Sequence, residues 1–139
     1  MTDCVPVLVG TVGLVQGERY TLAEGVPVVI GRSRSCDISL RRIPAYLNAP
    51  PEQRDADHDF NTVSRRHARI EIQGQRARIE DLSTNGTFVN GEFVMGSTEV
   101  DLAAGACSIR LGSRESFELK LVPKQEAEVA QAAAAGDRR

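Results

Sequence analysis

The segment 67–82 leaves little freedom about the kind of fold this chain adopts. Ala68, Ile70 and Ile72 alternate with Arg69 and Glu71. That period of two lays the apolar residues on one face of an extended strand. Gly74-Gln75 follows, and then Ala77 and Ile79 alternate with Arg76, Arg78 and Glu80. Two alternating runs separated by two residues, one of them Gly, read as a β-hairpin. A lone hairpin is marginal in water, so its apolar face needs a covering layer.

The rest of the sequence supplies that layer as further strands. Short β-branched runs punctuated by Gly and polar turns predict strands over 5–12, 19–22, 26–30, 37–40, 87–89, 92–94, 98–102, 106–111 and 116–122. With the two arms of the hairpin, 67–73 and 76–82, the count is about eleven. The run 26–30 is apolar throughout, as a buried strand should be. Many short strands with frequent turns predict an all-β sandwich. Strand-helix-strand alternation is absent, which argues against a doubly wound α/β fold.

Two stretches fall outside this pattern. Residues 41–60 contain Pro44, Pro50 and Pro51 and the acidic run Asp55-Ala56-Asp57-His58-Asp59. This is too long for an ordinary hairpin loop and reads as an insertion. It carries Arg41-Arg42 and apolar Ile43, Tyr46, Leu47 and Phe60, more than a solvated loop requires. Part of it is therefore expected to pack on the sandwich. Its acidic middle is expected to stay mobile, to one side, and to select basic residues in a ligand. Residues 123–139 are rich in Ala, Glu and Gln and read as a flexible tail or linker.

Composition narrows the function. The 139 residues are enough for one domain with a real core, 41% apolar and 26% charged, as in soluble globular proteins. A net charge of −2 argues against non-specific binding to nucleic acid or to a membrane surface. No run approaches the roughly 18 apolar residues of a membrane span. The three cysteines, Cys4, Cys36 and Cys107, are odd in number and widely spaced, with no metal-ligand pattern. Cys36 and Cys107 sit in apolar strand-like runs, where a free thiol is a small core residue. A reducing, cytoplasmic setting fits them. No basic region opens a signal peptide.

Positive charge is concentrated where the mean is not. Eight arginines lie between residues 31 and 70, and Arg32, Arg34, Arg65 and Arg66 flank three motifs that read together. Gly31-Arg32 ends an apolar strand. Ser64-Arg65-Arg66-His67 precedes another. Asn85-Gly86-Thr87-Phe88-Val89-Asn90-Gly91 places two Asn-Gly turns around an apolar pair. Guanidinium forks at Arg32 and Arg65 or Arg66, hydroxyls at Ser64 and Thr84, and the Asn85 amide are the mixture a phosphate dianion needs. Competing readings exist for single residues. Ser64 and His67 could be a nucleophile and its base, but no nucleophile elbow or partner acid accompanies them. His67 reads better as a structural histidine holding loop backbone. His58 between two acids could bind a metal, but it has no second His or Cys beside it. No nucleotide-binding glycine loop occurs.

In this order, Gly31-Arg32, Ser64-x-x-His67, Asn85-Gly86-Thr87 and Asn90-Gly91 resemble the forkhead-associated (FHA) domain family, over about residues 5–122. The resemblance implies an eleven-stranded β-sandwich whose loops at one end bind phosphothreonine peptides. It assigns Arg32, Ser64 and Thr84 to the phosphate, and Arg65 and Asn85 to the peptide backbone or phosphate. Gly31, His67, Gly86 and Asn90 would hold the loops in shape. Arg32 and Ser64 are about twice as far apart as the family usually has them, and the excess is 41–60. The expected organisation is a binding domain, 1–122, followed by a tail, 123–139. The expected function is recruitment of proteins phosphorylated by Ser/Thr kinases, in the cytoplasm, with no cofactor, no metal and no catalysis. The alternatives are a phosphate-independent scaffold on the same fold and a Ser64/His67 hydrolase.

Overall fold

The structure, a computed structural model, describes residues 4–124. Eleven strands make two packed sheets: β1 (Cys4–Val12), β2 (Arg19–Thr21), β3 (Val28–Gly31), β4 (Ile38–Ser39), β5 (Ala68–Gln73), β6 (Arg76–Asp81), β7 (Thr87–Val89), β8 (Glu92–Phe93), β9 (Ser97–Asp101), β10 (Cys107–Leu111) and β11 (Glu115–Pro123). One sheet has the order β2-β1-β11-β10-β7-β8, the other β4-β3-β5-β6-β9. The all-β sandwich read from the sequence is the fold of the protein. Of the tail, 125–139 lies outside the described residues.

The core follows from the alternation. Leu8, Ile109, Leu111, Phe117 and Leu119 from the first sheet meet Ile30, Ile70, Ile72 and Ile79 from the second, and all are buried. Each such side chain contributes about 1.5–3 kcal/mol by leaving water. The β5–β6 hairpin has the expected register, Gln73 opposite Arg76 across Gly74-Gln75. The run 26–30 is a strand only from Val28, and Val26 is exposed. Pro27 explains the late start, because it has no N–H to give the ladder. Cys36 is buried as expected, but in the turn before β4 rather than in a strand. Burial raises the pKa of the Cys107 thiol to about 11, which keeps it an inert core residue.

The insertion is not a loop. A 3-10 turn (Leu40–Arg42) leads into three short helices, α1 (Pro44–Leu47), α2 (Pro51–Ala56) and α3 (His58–Asn61). Pro44 and Pro51 open their helices, where a missing N–H costs nothing. Ile43, Tyr46 and Phe60 join the main core, whereas Leu47 is exposed. Within the acidic middle, Asp57 and Asp59 are tied to the rest of the fold. Asp57 caps α3 by accepting from Phe60 N at 3.0 Å. Arg114 pairs with Asp57 at 2.8 Å, with Asp59 at 3.7 Å and with the buried Glu115 at 2.7 Å. Glu115 also accepts from Val15 N at 3.2 Å. The carboxylates of Asp57 and Asp59 thus help to fix the insertion.

Antiparallel pairing puts the two ends of the sandwich to different uses. The turns after β3, before β5, after β6 and between β10 and β11 all lie at one end, beside the insertion. Cys4 and Pro123 are register partners at the other end, as far along β1 and β11 as the pairing reaches. No helix among the described residues is long and apolar enough to cross a membrane.

Candidate functional site

Three turns meet at the insertion end, and their backbones are tied together. Arg32 N donates to Ser64 O at 3.1 Å, and Ser33 N donates to Arg65 O at 3.0 Å. Gly31 makes this approach feasible. A Cβ there would stand 2.1 Å from the Arg65 carbonyl oxygen, so no other residue fits. Cys36 Sγ donates to the same carbonyl at 3.1 Å.

His67 is the joint between the second and third turns. The imidazole is fully buried. Nδ1 accepts from Ser64 N at 2.9 Å, which leaves the proton on Nε2, and Nε2 donates to Gly86 O at 2.8 Å. Burial lowers its pKa, although the Gly86 carbonyl and Asp81 pull the other way, so the ring stays neutral. Gly86 is buried with φ 105°, a conformation side chains avoid, and Phe93 occupies the space a Cβ would need. The Ser64/His67 hydrolase reading fails on this geometry. Both imidazole nitrogens are bonded to backbone, and Ser64 Oγ instead accepts from Thr84 N at 3.0 Å.

The third turn is organised by Asp81. Its Oδ1 accepts from Ser83 Oγ at 2.5 Å and from Thr87 Oγ1 at 2.8 Å. Burial opposes ionisation there, but these hydrogen bonds outweigh it and hold the carboxyl below its usual range. Asn85 Nδ2 donates to Thr62 O at 3.0 Å, tying the turn to the end of the insertion. Asn90 adopts φ 53° and Gly91 φ 82°, the pair a two-residue hairpin turn requires. Asn90 Oδ1 accepts from Ser108 N at 3.0 Å, which locks that turn onto β10.

Beside these turns lies an open pocket of about 300 Å³ lined by Arg32, Ser33, Arg34, Ser35, Arg41 and Arg65. Four guanidiniums share it with no carboxylate. Arg32 Nε donates to Val63 O, and its guanidinium lies over the Phe60 ring. Burial lowers the Arg32 pKa, and the charges of Arg41 and Arg65 lower it further. An anion in the pocket would relieve that crowding.

Of the residues singled out in the sequence, Arg32 and Arg65 line the pocket itself. Ser64, Thr84 and Asn85 lie on the adjoining turns, joined to it through the bonds above. Ser33, Ser35 and Arg41 were missed as pocket residues. Arg41-Arg42 was visible in the sequence, but a charged pair at the mouth of a long insertion reads as solvated surface. His58 is exposed, and no cluster among the described residues could hold a metal ion.

A sequence model of the FHA domain matches residues 28–112. The chain belongs to the FHA domain family. Solved structures similar to this FHA domain include one from work on phosphothreonine-dependent FHA domain interactions, with 31% identity and a TM-score of 0.60, covering 86% of this chain and 98% of that one. Another is the FhaA FHA domain complexed with the intracellular domain of Rv3910, with 31% identity and a TM-score of 0.55, covering 81% and 98%. A third is the FHA domain of an Arabidopsis thaliana hypothetical protein, with 26% identity and a TM-score of 0.63, covering 88% and 89%. A search of curated protein sequences finds no significant match.

Proposed function

We propose that this FHA domain is a phosphothreonine-dependent peptide-binding module that recruits proteins phosphorylated by Ser/Thr kinases and performs no chemistry itself. The observation that carries the reading is the pocket of four arginines, none of which enters an ion pair among the described residues. A phosphate dianion offers those forks three strong acceptor oxygens. In this reading Arg32 and Arg65 hold the phosphate. Ser64 donates its hydroxyl proton to it, since Ser64 Oγ already accepts from Thr84 N. Thr84 and Asn85 meet the phosphate and the peptide backbone, and Gly31, His67, Gly86 and Asn90 keep the turns in place.

The likeness to an FHA domain from work on phosphothreonine-dependent interactions supports this. So does the complex of the FhaA domain with an intracellular partner. The module would comprise residues 1–122, with 123–139 as tail or linker. It would work in the cytoplasm, where such kinases act and where its free thiols stay reduced.

The test uses a peptide selected from an oriented phosphothreonine library, then compared with its phosphoserine and unphosphorylated forms by calorimetry. The lost γ-methyl is worth about 0.8 kcal/mol, and more where it leaves a void. The phosphoserine form should bind several-fold more weakly and the unphosphorylated form not measurably. Equal affinity for all three would replace this reading with a phosphate-independent scaffold.

A further inference from the structure

We infer that the site takes a second anionic group beside the phosphate, an acidic side chain or a second phosphoryl group, held by Arg34 and Arg41. The inference rests on the phosphopeptide reading and narrows its ligand class.

Arg32, Arg65 and Ser64 act as one unit, because the turns that carry them share backbone hydrogen bonds. Arg34 and Arg41 reach the same pocket from elsewhere. Arg34 sits on the turn between β3 and β4, whose shape is fixed by a 2.8 Å bond between the Ser33 and Ser35 hydroxyls. Arg41 comes from the 3-10 turn that opens the insertion, and its N–H is capped by Ser39 Oγ at 3.3 Å.

One phosphate brings a charge of at most about −2 into a pocket lined by four guanidiniums. The nearby carboxylates are committed elsewhere. Asp37 accepts from Val29 N at 2.9 Å, and Asp57 and Asp59 are bound by Arg114. Positive charge thus remains in excess once a phosphate is seated. A solvated cluster would spread its arginines over the surface, whereas these converge on one concavity. The insertion that lengthens this chain supplies one of the two extra cations and commits Asp57 and Asp59 to Arg114.

The experiment starts from a phosphothreonine peptide with neutral flanks. Asp or phosphoserine is placed at each neighbouring position in turn. Each peptide is titrated against the parent, an Arg34→Ala/Arg41→Ala variant, and an Arg76→Ala/Arg78→Ala control that loses equal charge on β6. The control positions lie on the part of that strand leading away from the site. At one position or two adjacent ones, the added anion should tighten binding to the parent and the control by about fivefold or more. In the Arg34/Arg41 variant that gain should fall below about twofold, whatever small loss the neutral peptide suffers. A gain from Asp as well as phosphoserine assigns a carboxylate; a gain from phosphoserine alone assigns a second phosphate.

No gain at any position, with the neutral phosphopeptide still bound, overturns the inference and leaves the phosphopeptide reading standing. An equal gain in all three proteins also overturns it, because the effect is then the general field. Failure of every phosphopeptide to bind the parent overturns both.

Discussion

The guanidinium carbon of Arg32 lies 5.9 Å from the centre of the Phe60 ring, so a residue of the insertion forms the floor beneath an arginine of the pocket. Phe60 stacks on Tyr46 at 4.9 Å, and the guanidinium carbon of Arg54 lies 4.8 Å from the centre of the Tyr46 ring. Sequence distance hides this arrangement. Phe60 closes the insertion and Arg32 precedes it, yet the packing makes them one unit.

Phe60→Leu should therefore separate packing from cation support. Leucine keeps most of the buried volume, so stability should fall by only about 1–2 kcal/mol. The cation–π contact, about 0.5–2 kcal/mol, is lost entirely. Phosphopeptide affinity should drop several-fold by calorimetry while the fold persists by circular dichroism. Unchanged affinity would show that the ring only fills space.

Arg32→Ala removes a charge-assisted partner worth about 1.5–3 kcal/mol. Binding of the phosphopeptide should weaken at least about tenfold, while the melting temperature falls modestly through loss of the bond to Val63 O and the packing on Phe60. An affinity equal to the parent's would remove Arg32 from the site.

His67→Ala should act on the fold first. It leaves the Ser64 N–H unpaired and opens a cavity, at a cost of about 2–4 kcal/mol. The parent should also show a pH dependence that the variant lacks. Burial holds the folded pKa of His67 below its ordinary 6.5. On acidification the unfolded chain takes up this proton first. Stability from this residue is thus complete above about pH 6.5 and is lost as pH falls toward the folded pKa. Urea midpoints measured from about pH 7.5 to 5.5 should fall more steeply for the parent than for His67→Ala. Parallel slopes would contradict a buried neutral imidazole. A variant that melts like the parent yet has lost all binding would instead indicate direct ligand contact.

Arg114→Met should loosen the insertion. It strands the buried Glu115 carboxylate without its cation, at about 3–5 kcal/mol. Adding Glu115→Gln should recover part of that loss. A single variant as stable as the parent would mean that the pairs with Asp57, Asp59 and Glu115 are incidental.

What was legible in the sequence follows from these contacts. Strands β5, β6, β10 and β11 were readable because each buries alternate residues, and a period of two survives in runs as short as the β5–β6 hairpin. Gly31, His67 and Asn90 were readable because each meets a local demand: close approach, a bond to nearby backbone, a left-handed turn. The three helices of the insertion were not. Segments of four to six residues are too short to display a 3.6-residue period. They are held by Phe60 in the core and by Arg114, more than fifty positions away in the chain from Asp57 and Asp59. Arg41 was opaque for the same reason, since only the folded insertion brings it to Arg32.

The pairing of Cys4 with Pro123 has a practical consequence. The first and last strands lie side by side, with their outer ends remote from Arg32. A short linker could close that gap, and new termini could be opened between Gly74 and Gln75, at the same remote end. Such a circular permutant would leave every ligand-facing turn covalently intact, and a fluorophore fused at its new ends would stand clear of the bound peptide.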